Sequence, residues 1–253
     1  MLNLVEHGAA TDLPTLLIVH GLFGSARNWG AIAKRMSDSR RVVAVDMRNH
    51  GESFRADSQS YPEMAADLAE VIGWIGAPVD VMGHSMGGKT AMQLALTHGD
   101  LVNRLVVADI APVAYEHSQA HLIDAMRHLD LTDLTQRSEA DRRLAVELHS
   151  PAIRAFLLQS LDLKTEPPVW RLNLDVLERD MGLVVGWPGT TGRFDKPALF
   201  ITGAESDYVK SEDRAAIKAL FPQAKMAKIP GAAHWLHADR PREFEAALRV
   251  FLN

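Results

Sequence analysis

From Leu16 to Ala111 the chain alternates short, continuous apolar runs with longer segments of helical spacing, and few folds accept that rhythm. The runs Leu16 to Val19, Val42 to Val45, Val79 to Met82 and Leu105 to Ala108 are rich in Val, Leu and Ile. Such runs suit strands buried on both faces of a parallel sheet. Between them, Asn28 to Met36, Pro62 to Trp74 and Gly88 to Leu96 read as helices. Strand and helix repeating in this order imply right-handed crossovers and a doubly wound, mostly parallel α/β sheet.

The rhythm breaks after Pro112. Ala120 to Leu129, Glu139 to Leu148 and Ile153 to Leu161 carry helical spacing with no strand between them, and Pro167-Pro168 punctuates the region. Strand signal returns at Ala198 to Thr202 and at Ala224 to Ile229. Helical segments, Ser211 to Leu220 and Pro241 to Leu252, follow each of these. The organisation expected is one α/β core from residues 1–111 and 193–253, interrupted by a helical insert over residues 112–192.

The chain of 253 residues is long enough for one large domain with a real core. Net charge is -5 and no segment concentrates Lys and Arg, so nucleic acid and anionic membrane surfaces are not expected partners. The absence of cysteine excludes disulfides, thiolate metal ligands and a Cys nucleophile. Met1 to Glu6 lacks the basic and apolar regions of a signal peptide, and no apolar run reaches the roughly 18 residues of a spanning helix. A cytoplasmic protein with no stable membrane insertion is expected, as a monomer or homodimer.

Gly83-His84-Ser85-Met86-Gly87 directly follows an apolar run and precedes a helix, which is the nucleophile-elbow pattern. Ser85 must occupy a strained strand-to-helix turn, and the positions two before and two after it come too close for side chains. The same residues also spell a P-loop, Gly83-x-x-x-x-Gly88-Lys89-Thr90, with Asp109 after a later apolar run as a magnesium ligand. Context favours the elbow. A P-loop commonly follows the first strand of its domain, whereas three apolar runs end at or before this turn.

The oxyanion of a tetrahedral intermediate needs two backbone donors. The turn His20-Gly21-Leu22-Phe23-Gly24 ends the first apolar run, and the amides of Leu22 and Met86 are the expected pair, with Phe23 as the alternative to Leu22. His234 lies in Gly231-Ala232-Ala233-His234-Trp235, after the last strand and before the final helix, where the general base belongs in the chain order Ser, acid, His. His237 is its nearest competitor, and the elbow is expected to direct the side chain of His84 elsewhere. The acid has two candidates, Asp207 after the strand at Ala198 and Asp109 at the end of the strand at Leu105. Asp109 follows an apolar run, so its carboxylate would be buried and would need a partner. His117, His121, Asp124 and His128 repeat at metal-like spacing, but without a zinc motif a solvated helix face is expected, and no metal or other cofactor is implied.

The segments His20 to Ser25, Asp46-Met47-Arg48-Asn49-His50-Gly51, Gly83 to Lys89, Asp109 to Val113 and Gly231-x-x-His234-Trp235 together resemble a subgroup of the alpha/beta hydrolases, small bacterial esterases and their mitochondrial relatives. The resemblance implies an alpha/beta-hydrolase fold with the insert as a cap. It also implies hydrolysis of short- to medium-chain acyl esters or thioesters as small-molecule substrates. It favours Asp109 as the acid and implies that the hydroxyl of Ser206 assists the histidine. Asp207 is a departure from that pattern and stays the alternative acid. Phe23 and Trp187 are the expected pocket-lining residues. Other reactions of the same scaffold (a lactonase, a C–C hydrolase, a cofactor-free lyase), a P-loop enzyme and a slow-turnover receptor are the competing readings.

Overall fold

A computed structural model describes all 253 residues. The chain begins with strand β1 (Asn3–His7), then β2 (Leu16–Val19), helix α1 (Gly30–Met36), β3 (Val42–Asp46) and α2 (Tyr61–Ile75). It continues through β4 (Val79–His84), α3 (Met86–Thr97) and β5 (Val102–Ala108). The insert carries α4 (Ala120–His128), α5 (Arg137–Leu144), α6 (Pro151–Leu157), the short strands β6 (Leu161–Asp162) and β7 (Val169–Trp170), α7 (Leu174–Arg179) and α8 (Met181–Val185). The core resumes with β8 (Ala198–Gly203), α9 (Asp213–Leu220), β9 (Ala224–Ile229), α10 (Leu236–Asp239) and α11 (Pro241–Leu252).

Seven strands form one sheet in the order β1-β3-β2-β4-β5-β8-β9. Every pair is parallel except β1 with β3. The doubly wound sheet expected from the apolar runs is therefore present. Chain order reverses beside β2, so β2 and β4 lie side by side although β3 falls between them in sequence, and open α/β sheets bind ligands at such a reversal.

Successive side chains of the inner strands serve two separate cores. Leu17, Val19, Val43, Val45, Val81 and Val107 face α2, α3 and the insert, while Leu16, Ile18, Val42, Ala44, Met82 and Val106 face α1 and α11. Helix α11 starts at Pro241, whose fixed backbone angle suits a first turn, and presents Phe244, Leu248 and Leu252 on one stripe. All three are fully buried, each worth about 1.5–3 kcal/mol on burial. Its end is fastened beneath the sheet. The buried Arg40 guanidinium donates to the Leu252 carbonyl and to the Asp80 carboxylate, 2.7 Å away.

Three strands carry no signal in the sequence. Strand β1 lies at the sheet edge with no residue buried and with Val5 and Glu6 exposed, so it lacks a continuous apolar run. Strands β6 and β7 pair over two residues each, too short for any periodicity, and they end the helical spacing read as continuing to Leu161.

Candidate active site

Ser85 sits between β4 and α3 with φ +53° and ψ −120°, a conformation that non-glycine residues rarely hold. The turn is possible because its flanks are glycines. A Cβ on Gly83 would stand 2.1 Å from the Gly87 carbonyl oxygen, and one on Gly87 would stand 2.4 Å from the carbonyl oxygens of Val19 and His20. The Ser85 amide donates to the Ala108 carbonyl at 3.0 Å, which stitches the turn to the end of β5.

Asp109 is the next residue of that strand end, itself at φ +52° and fully buried. Its amide donates to the Ile201 carbonyl of β8 at 2.8 Å. One carboxylate oxygen accepts the Gly203 amide at 3.0 Å. The other accepts the Ser206 hydroxyl and Nδ1 of His234, the latter at 2.8 Å. With the carboxylate accepting, the proton lies on Nδ1, so Nε2 of His234 carries a lone pair. Asp207 is exposed and the bond to His234 comes from Asp109.

Ser85 and His234 line one cavity of about 280 Å³ whose other walls are mostly apolar, among them Leu22, Phe23, Met86, Ile110, Leu122, Ile153 and Phe156. Tyr208 stacks its ring on His234, with centroids 3.8 Å apart and planes at 16°. No sequence pattern pointed to Tyr208. Its main chain is held by the Tyr115 hydroxyl, which donates to the Tyr208 carbonyl at 2.7 Å and accepts the Ala111 amide.

The turn after β2 is shaped by two buried histidines. His20 accepts the Met47 amide on Nε2 at 2.9 Å and uses Nδ1 toward the Gly21 carbonyl. His50 accepts the Phe23 amide on Nε2 at 3.2 Å and uses Nδ1 toward the Arg48 carbonyl. Burial lowers the pKa of both, that of His50 to about 3, so each stays neutral with one donor and one acceptor nitrogen. Phe23, at φ +62°, therefore has its amide engaged. The Leu22 amide makes no hydrogen bond within the chain, and the Met86 amide opens α3, where no intrahelical acceptor exists.

The model of the alpha/beta hydrolase fold matches residues 14–241 of the chain. The chain belongs to the alpha/beta hydrolase family. Among its relatives, the mouse sn-1-specific diacylglycerol lipase ABHD11 is 40% identical over 99% of this chain and 84% of its own length. The Escherichia coli esterase YbfF is 37% identical, with 94% of this chain and 92% of the relative covered. A solved structure described as a marine microorganism esterase superposes with a TM-score of 0.93 at 38% identity, covering 99% of both chains.

Within this alpha/beta hydrolase, the residues that could have served a P-loop are otherwise employed. Lys89 is fully buried in α3, and its ammonium donates to the carbonyls of Val185, at 2.9 Å, and Gly186. It also lies 4.6 Å from the Tyr115 ring, and burial lowers its pKa to about 7. The Tyr61 hydroxyl and the Tyr115 amide donate to the same helix end, at Val184 and Val185. Lys89 thus fastens the C-terminus of α8 to the core, where a cation also suits the helix dipole. Thr90 bonds the Met86 carbonyl of its own helix.

Other expected residues divide. Phe23 lines the cavity, whereas Trp187 does not reach it and packs behind the wall on Tyr61, ring centroids 6.4 Å apart. His84 was expected to turn away. It instead lines the cavity with its ring 4.7 Å from that of His234. His237 stacks on Trp29 at 3.9 Å and contacts no carboxylate. His117 lies before α4 and meets Tyr208 edge-on, while His121, Asp124 and His128 are exposed, so the four do not share one helix face. No helix is long and apolar enough to cross a membrane.

Proposed function

We propose that the chain is a serine carboxylic-ester hydrolase that works through an acyl-enzyme, with Ser85 as nucleophile, His234 as general base and Asp109 as acid. The observation that carries this is the 2.8 Å bond from Nδ1 of His234 to the buried Asp109, which leaves the basic nitrogen free in a residue lining the same cavity as Ser85. His234 takes the proton of Ser85 as the oxygen attacks the ester carbonyl. The amides of Leu22 and Met86 receive the oxyanion, since His50 occupies that of Phe23. His234 then protonates the departing alcohol, and the same base activates water to release the acid.

Ser206 completes the set by donating to Asp109, which orients the carboxylate that holds His234. The cavity supports the substrate class. Its volume of about 280 Å³ lies just below the usual range of ligand pockets, about 300 to 1,000 Å³. Apolar walls of that size favour short- to medium-chain acyl groups, as esters or thioesters. Residues 112–192 act as a cap, because Leu122, Ile153, Phe156, Val184 and Val185 of the insert close the cavity over Ser85.

The test is hydrolysis of p-nitrophenyl acetate, butyrate, octanoate and palmitate by wild type and Ser85→Ala, with acyl thioesters and a diacylglycerol alongside. Wild type should turn over the shorter esters fastest, and Ser85→Ala should lose at least about a thousandfold in kcat. Full activity in Ser85→Ala would overturn the proposal.

A further inference from the structure

The main chain of His234 receives one hydrogen bond, and it comes from the residue adjoining Ser85. Nε2 of His84 lies 2.8 Å from the His234 carbonyl oxygen. The His234 amide has no partner within the chain, and the neighbouring loop contacts hold Ala232 and Ala233 rather than His234 itself. A carbonyl can only accept, so Nε2 of His84 carries the proton. His84 is 3% exposed, closed in by Trp29 and His237, and burial holds its pKa well below the ordinary histidine value. It is a neutral, fixed donor.

We infer that His84 is a positioning residue, whose side chain ties the loop bearing His234 to the strand end bearing Ser85. The inference rests on the proposed Ser85–His234 pair. Nucleophile and base belong to distant parts of the chain, and proton transfer demands that their side chains stay within hydrogen-bond reach. The imidazole of His234 is already held by Asp109 and Tyr208, but its carbonyl would otherwise be free to swing. A bond from His84 makes the position of the base depend directly on that of the elbow. Displacement of a reacting group by about 1 Å can cost about a hundredfold, so loss of this tether should appear in kcat rather than in substrate binding.

The experiment compares His84→Leu, His84→Gln and His84→Asn in the same ester assay and in the rate of Ser85 labelling by a fluorophosphonate. The Gln amide nitrogen can stand where Nε2 stands, whereas that of Asn stops near Nδ1. His84→Leu and His84→Asn should lose about 10- to 100-fold in kcat with KM changed less than about threefold. His84→Gln should recover to within about fivefold of wild type. In a His234→Ala background the effect of His84→Leu on the residual labelling rate should shrink at least about fivefold, because the tether acts through His234. The inference is overturned by wild-type kcat in His84→Leu, by equal losses in Gln and Asn, or by an undiminished effect in the His234→Ala background. Should His84→Leu fail to fold, the contrast of Gln with Asn decides. Activity retained in Ser85→Ala would instead remove the proposed reaction, so the two failures are distinguishable.

Discussion

Replacing Asp109 by Asn changes one atom and should nearly abolish turnover, for a reason that can be followed bond by bond. The Gly203 amide, 3.0 Å from one oxygen, can only donate, so the Asn carbonyl oxygen must face it. The Asn NH2 group is then directed at the Ser206 hydroxyl and at Nδ1 of His234. Ser206 can rotate and accept. His234 can accept only by moving its proton to Nε2, which removes the lone pair that should take the proton from Ser85. The same exchange in a serine-protease triad costs about 10⁴-fold, or about 5 kcal/mol of barrier. We expect Asp109→Asn to lose about 10³- to 10⁴-fold in kcat on p-nitrophenyl butyrate, with KM little changed and thermal unfolding within a few degrees of wild type. Asp207→Asn, at an exposed position, should stay within about twofold. A variant Asp109→Asn that keeps more than a tenth of wild-type kcat, beside an Asp207→Asn that collapses, would refute the reasoning.

Further expectations concern the same framework. Ser206→Ala removes one donor to Asp109 and should lower kcat about tenfold in the same assay without changing KM. Burial lowers the pKa of His237 to about 4, below the ordinary value of about 6.5, so the unfolded chain binds more protons than the native one between those values. Stability should therefore rise with pH across that window and be lost as pH falls through it. His237→Phe should recover about 2 kcal/mol at pH 5 relative to its effect at pH 8, measured by urea unfolding. Arg40→Met strands the buried Asp80 carboxylate and should cost about 3–5 kcal/mol by the same measurement. Adding Asp80→Asn should restore part of that loss.

The sheet was legible where strands are buried on both faces, as in β2, β3, β4, β5 and β8, because nearly every residue of the strand core is then apolar, the paired Asp80 of β4 excepted. It was illegible at β1, whose half-exposed edge tolerates Asn3 and Glu6. The proposed nucleophile and base, Ser85 and His234, were legible in the glycine turn and the late loop. The proposed acid was not, since Asp109 and Asp207 each follow a strand. The register of β5 against β8 brings Gly203 and Ser206 to Asp109, and that register has no local signature. The parts played by His50, His84 and Tyr208 were hidden for the same reason. Each depends on a partner far away in sequence or on a stacked ring. Trp187 was misread because an aromatic in the insert can face the pocket or its outer packing with identical sequence.

Asp109 hangs from β5, the neighbour of the strand that bears Ser85, and both precede the insert. The proposed nucleophile and acid thus belong to one strand–helix–strand unit drawn wholly from residues that precede the insert. The loop after β8 supplies a hydroxyl to Asp109, from Ser206, and an aromatic face to His234, from Tyr208. Such an arrangement is modular. A change in the length of the insert would then alter the pocket wall, while the spacing of Ser85 and Asp109 stays set by the pairing of β4 with β5.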